Sequence, residues 1–143
     1  MNVNKKGSLG LVEVMRDLSR KEIECFLPIH DYSAVDLIAM HNYNVYRLQV
    51  KYRETFRGMI EIPFKTVVNG KSVPIDFNAI DGWAVFCPEV DKVIYISKSE
   101  VDLTKGSVTF RLTPSKNRNS TGNARKMYTD FSEMAEWPKA SVC

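Results

Sequence analysis

Polar and apolar side chains alternate strictly from Tyr46 to Arg53, with Tyr46, Leu48, Val50 and Tyr52 on one side and Arg47, Gln49, Lys51 and Arg53 on the other. A period of two sustained over such a length predicts a half-buried strand. The preceding run from Ser33 to Met40 also has strand character, with Val35, Leu37 and Ala39 able to face the same core, and residues 41–44 (His-Asn-Tyr-Asn) supply turn chemistry. A turn centred between Asn42 and Tyr43 predicts an antiparallel hairpin that sets Asp36 opposite Gln49. Lys51 then lies two residues along the same face, directed away from the core.

The pattern on either side of this hairpin predicts the remaining elements. Leu9 to Ile23 has a helical period through Leu11, Val14 or Met15, and Leu18, with Ser8 as its N-cap. Residues 23–28 (IECFLP) predict a short first strand stopped by Pro28. Beyond the hairpin, MIEIPFKTVV and KSVPIDF flank Asn69-Gly70, a pair that readily takes the positive φ angles of a type I′ turn, so a second hairpin follows. Pro63 and Pro74 each remove a ladder donor and place that ribbon at an edge. GWAVFC (82–87) and KVIYIS (92–97) are apolar enough to lie inside a sheet. Ser99 to Thr104 predicts a helical turn and Ser107 to Thr113 a further strand. Asp130 and Glu133 form a capping box for a closing helix whose apolar stripe includes Phe131, ending before Pro138.

A length of 143 residues predicts one domain, 1–143, able to bury a core without a disulfide or metal staple. Cys25, Cys87 and Cys143 are odd in number and lack a CxxC spacing, which fits a reducing, cytoplasmic setting. No stretch reaches the roughly 18 apolar residues of a membrane span, and residues 1–10 carry no apolar signal segment. The net charge of +3 is unevenly spread: from Leu103 through Thr129 there are six basic residues, Lys105, Arg111, Lys116, Arg118, Arg125 and Lys126, and no acid. Such a stretch either tracks a phosphate backbone or forms a solvated linker. Lys5 and Lys6 precede the first helix and are more often a solvated start than a phosphate contact. Arg53, Arg57, Lys65 and Lys71 lie on or near the second ribbon. They read either as a charged edge that discourages aggregation or as a ribbon entering a DNA groove.

His30 and His41 have no metal-ligand spacing and read as surface residues, and no GxSxG, HExxH or P-loop is present. The arrangement that stands out is Asp36 followed by Gln49-Val50-Lys51 on one hairpin. An acid and a neutral oxygen can hold a hard divalent ion together with backbone carbonyls, waters and a phosphate oxygen. A lysine beside them can offset charge developing on a phosphoryl group. For an arbitrary protein the same trio would be no more than an exposed sheet face with a surface ion pair.

The order of helix, short strand, Asp-bearing strand and Gln-x-Lys strand resembles the core of the PD-(D/E)XK nucleases, the fold of restriction enzymes and Holliday-junction resolvases. It is most similar to the small homing endonucleases encoded by group I introns of cyanobacteria. The residues that carry the resemblance are KKGSLG before the helix, FLPIHDYSAVDLIA, and YRLQVK. It is good over about residues 5–53 and weaker to about 113. It implies an α/β (α+β) fold: a restriction-endonuclease-like core with a central mixed β-sheet flanked by helices, and an added β-ribbon. The catalytic core would span about 8–113, with a basic loop and closing helix over 114–143.

By this resemblance Asp36 is the metal-binding acid, although Val35 stands where the motif has proline. Gln49 takes the (D/E) position and ligates through its amide oxygen, Val50 contributes its backbone carbonyl, and Lys51 is the motif lysine. Mg²⁺ is the implied cofactor, with Mn²⁺ as substitute. The partner is double-stranded DNA, cut on both strands by a homo-oligomer, at least a dimer and preferably a tetramer. Arg53, Arg57, Lys65 and Lys71 become the first choice for DNA contact and Lys116 and Arg118 the second. Relatives carry glutamate where this chain has Leu11, and Glu13 lies about 200° further round an α-helix. One carboxylate instead of two implies impaired metal binding or cleavage. The rival readings are a resolvase or restriction enzyme on the same fold, and a non-catalytic DNA-binding protein on a nuclease scaffold.

Overall fold

The computed structural model describes residues 1–30, 33–112 and 127–135. The chain begins with helix α1 (Val3–Arg20). Its cap is Asn2, whose side chain accepts the Lys5 amide at 2.9 Å, so Ser8 lies inside the helix and not at its start. The expected start was too late because the residues before Leu9 bury little and leave no periodic trace, although Asn2 satisfies an orphan amide there. Gly10, Val14 and Leu18 form the buried stripe. Gly10 permits close approach: a Cβ there would stand 3.3 Å from the Cβ of Tyr52.

Strands β1 (Glu24–Phe26), β2 (Leu37–His41) and β3 (Asn44–Tyr52) run antiparallel in sequence order. The β2–β3 turn is tight, with His41 paired to Asn44 and positive φ at Asn42 (51°) and Tyr43 (65°), so its centre falls between those two residues. The chain then leaves the sheet through β4 (Met59–Pro63), β5 (Lys65–Val68) and β6 (Lys71–Pro74). It returns as β7 (Gly82–Cys87), parallel to β3, and β8 (Lys92–Ser97), antiparallel to β7. The central sheet has the order β1-β2-β3-β7-β8. A 3₁₀ turn at Lys98–Glu100, strand β9 (Ser107–Arg111) and helix α2 (Phe131–Ala135) complete the described elements. Asp130 Oδ1 accepts the Ser132 amide at 3.0 Å ahead of α2.

The second hairpin is shorter than its sequence suggests. Only β5 and β6 form the ribbon, closed by Asn69 (φ 51°) and Gly70 (φ 76°), whereas β4 pairs with β9 in a separate two-stranded sheet. The split falls at Pro63-Phe64. Phe64 turns inward and is buried, its N–H donating to the Gly106 carbonyl at 3.0 Å while its own carbonyl accepts from Ile75 at 3.2 Å.

Two cores lie on opposite faces of the central sheet. One joins Val14 and Leu18 of α1 to Leu37, Ala39, Tyr46, Leu48, Tyr95 and Phe131. The other joins Ile60 and Ile62 of β4, and Val108 and Phe110 of β9, to Trp83, Val85, Ile94 and Ile96. Helices therefore cover one face and β-structure the other. Val35 packs on the second core, not with Leu37 and Ala39, and the side of β3 expected to face away from the core is covered, with Gln49 buried and Lys51 bonded to the Lys65 carbonyl of β5. No described helix is long and apolar enough to cross a membrane.

Candidate active site

Asp36 immediately precedes β2, and continuing the register of Leu37 with Leu48 sets it opposite Gln49. Its N–H donates to the Leu48 carbonyl at 2.9 Å, and its Oδ2 accepts the Val50 N–H at 2.8 Å. A carboxylate held by a backbone amide of the neighbouring strand cannot swing away. Asp36 consequently borders two concavities. A cleft on the ribbon side is lined by Asp36, Gln49, Lys51, Arg53 and Lys65. A groove of about 520 Å³ on the α1 side is lined by Leu11, Leu27, Ile29, His30, Asp36 and Val50.

Gln49 is 3% exposed, and its Oε1 accepts the indole N–H of Trp83 at 3.2 Å. An indole nitrogen only donates, so this contact fixes which way the amide faces and leaves its oxygen one further lone pair. Trp83 is also stacked on Phe64, ring centroids 5.2 Å apart. It is the supporting residue that the sequence pattern does not disclose, because parallel pairing of Gln49 with Trp83 joins positions 34 apart with no local signature. Lys51 Nζ donates to the Lys65 carbonyl at 3.0 Å, anchoring the ribbon over the cleft. Burial, reinforced by the Arg53 guanidinium and opposed by Asp36, lowers the Lys51 ammonium to about 8.

The residues expected at the site separate by location. Asp36, Gln49, Lys51 and Arg53 share the cleft, and Lys65 borders it from β5. Lys71 is exposed on β6 beside the ribbon turn, and Arg57 is exposed in the turn before β4. Lys5 and Lys6 lie in the first turns of α1 and not ahead of it; Lys6 pairs with Glu54 at 3.0 Å. Lys116 and Arg118 lie outside the described residues, as does most of the basic stretch. His30 is exposed as expected but stands on the rim of the Asp36 groove, whereas His41 is half-buried, edge-on to Phe131 with centroids 6.0 Å apart.

Leu11 shares its groove with Asp36 and Val50, so a side chain at position 11 borders the same space as the acid. Glu13 faces a different groove and pairs with Arg16 at 3.5 Å. Among the described residues no group of three His, Cys, Asp or Glu side chains is placed to hold a metal.

A sequence profile of PD-(D/E)XK endonucleases matches residues 1–131. The chain belongs to that family. The solved structure of a bacterial homing endonuclease, I-Ssp6803I, superposes with a TM-score of 0.64 over 84% of each chain at 13% sequence identity. That likeness is one of fold. No curated protein sequence matches the chain.

The donor set fits a divalent ion only loosely. A Mg²⁺ site usually combines one or two carboxylates with waters and substrate phosphate. Here Asp36 could supply one acid, Gln49 a neutral oxygen already shared with Trp83, and Val50 a backbone carbonyl. Most of the remaining ligation, and most of the negative charge, is left to water and substrate.

Proposed function

We propose that this PD-(D/E)XK nuclease is a site-specific endonuclease of the homing type that hydrolyses phosphodiesters in double-stranded DNA. The observation that carries the reading is the convergence of Asp36, Gln49 and Lys51 in one cleft, in a chain that matches the endonuclease family over residues 1–131. Asp36, the Gln49 oxygen and the Val50 carbonyl would hold Mg²⁺ or Mn²⁺, which when bound supplies Lewis-acid polarisation of the phosphate. The Lys51 ammonium meets charge developing on the phosphoryl oxygens. Water adds to phosphorus, the bond to the 3′ oxygen breaks, and that oxygen takes up a proton. The products are a 5′-phosphate and a 3′-hydroxyl.

Leu11 leaves the metal weakly held, so cleavage is slow and demands high metal concentration. One such cleft cuts one strand, and a double-strand break then calls for at least a dimer on a near-palindromic site, with a tetramer preferred. Lys65 and Lys71 present the ribbon's charge to DNA, and Arg57 adds to it from the turn before β4.

Incubating the chain with linear duplex and with four-way junctions in Mg²⁺ separates this reading from a junction resolvase, since the homing reading requires cutting of the duplex. Leu11 also favours a second reading, a DNA-binding protein that no longer cleaves. On that reading Leu11→Glu restores nothing and Lys51→Ala leaves binding and a zero cleavage rate unchanged.

A further inference from the structure

Among the described residues Arg53 Nε is the buried side-chain nitrogen that has no hydrogen-bond partner. Its Nη1 donates to the Tyr52 carbonyl at 3.3 Å, so the fork is held by its tip while the inner donor is left unused. Buried donors in native proteins are nearly always satisfied, and an exception calls for an absent partner. A guanidinium fork matches the oxygens of a phosphate better than any other common anion except a carboxylate.

Arg53 also stands where two concavities meet. On one side is the cleft of Asp36, Gln49 and Lys51; on the other is a groove of about 490 Å³ lined by Phe56, Met59, Glu61 and Thr109, and both share Arg53 and Pro63. That volume is within the range of small-molecule sites. Phe56 is 69% exposed, and its main chain is fixed. Its backbone exchanges hydrogen bonds with Met59 at 2.8 and 3.0 Å across a tight turn that requires positive φ at Arg57 (52°) and Gly58 (72°). The Arg57 guanidinium stands 5.1 Å from the ring centroid, so an aromatic face and a cation are presented together. The two carboxylates nearby do not leave the groove anionic: Glu54 pairs with Lys6 at 3.0 Å, and Glu61 lies where its charge favours the Arg53 cation.

We propose that this groove is a nucleotide subsite, in which Arg53 grips a phosphate neighbouring the one in the cleft and Phe56 stacks on the attached base once that base has left the duplex stack. Aromatic stacking of this kind tolerates any base, because every base has a π-face. The direction of the strand, from the cleft past Arg53 into the groove, rests on the nuclease reading; the subsite itself rests on Arg53 and Phe56.

The test is an NMR titration of the ¹⁵N-labelled full chain with inorganic phosphate and with deoxycytidine 5′-monophosphate, following the Arg53 Nε–Hε signal and the Phe56 ring. Both probes are expected to move the Arg53 signal, and only the nucleotide the Phe56 ring. Phe56→Ala, at an exposed position that does not threaten folding, is expected to weaken the nucleotide at least about fivefold, towards the affinity of phosphate. In Arg53→Gln the nucleotide should no longer shift the Phe56 ring, and in Arg53→Lys, which keeps the charge without the fork, it should shift the ring only at higher concentration. An Arg53 signal that neither probe moves, or equal nucleotide affinity in Phe56→Ala, overturns the subsite. Because no cleavage is read, a chain that binds the nucleotide as described yet never cuts DNA refutes the nuclease reading alone. A chain that cuts DNA while both signals stay fixed refutes the subsite alone.

Discussion

Gln49 is held in place by its neighbour Trp83, and that contact decides what the amide can offer the cleft. Removing only the donor, as in Trp83→Phe, strands a buried amide oxygen and should cost roughly 1–3 kcal/mol in chemical denaturation. Adding Gln49→Leu should recover part of that loss, because two apolar partners leave nothing unsatisfied; strictly additive losses would refute the pairing. Leu11→Glu should raise cleavage at a fixed low Mg²⁺ concentration and lower the metal concentration needed for half-maximal rate, because a second acid would then border the groove that Asp36 lines. In that background Lys51→Ala should lower the cleavage rate about 10²–10³-fold with much smaller change in DNA affinity. The trio of Asp36, Gln49 and Lys51 was legible in the sequence because a strict period of two and a recognisable turn fix a hairpin register locally. Trp83 was not, since a parallel neighbour is set by the whole sheet, and neither was the roof over Lys51.

Among the elements, β7 has every residue buried and packs against both cores. Gly82 begins it, and a Cβ there would lie 2.3 Å from the Ile96 carbonyl oxygen on β8. Gly82→Ala must push two core strands apart and should cost roughly 1–3 kcal/mol or more, read as a lower denaturation midpoint. At the other end of the chain, hydrogen bonds from the Ser132 hydroxyl and amide, aided by Lys21, hold the Asp130 carboxyl below its usual range. A depressed carboxyl contributes stability above its unfolded pKa and loses it as pH falls through the folded value. Asp130→Ala should therefore cost about 1 kcal/mol at neutral pH, with the gap to wild type closing on acidification; a pH-independent gap would contradict the assignment. Strand identities were readable from composition and turn signals, but the partner of β4 was not. MIEIP and the ribbon are continuous in sequence, and only the inward turn of Phe64 and pairing with the distant β9 divide them.

For the molecule as a whole, a five-stranded mixed sheet carries α1 on one face and a β-layer on the other, and the cleft opens at the end of the β2–β3 hairpin beneath the ribbon. On the proposed function each cleft cuts one strand, which requires an assembly, and light scattering should return a mass near a multiple of the 16.4 kDa chain, four being the expected value. A purely monomeric mass both alone and with duplex would contradict double-strand cutting. The most direct test of the central claim is to incubate a random duplex library with Mg²⁺ and the wild-type, Leu11→Glu and Leu11→Glu/Lys51→Ala chains, then sequence the bound and cut fractions. The account predicts one enriched sequence in all three bound fractions, slow cutting at that sequence by wild type, faster cutting by Leu11→Glu, and cutting about 10²–10³-fold slower than that by the double variant. Equal cutting with and without Lys51, or no sequence enriched by any chain, would contradict it.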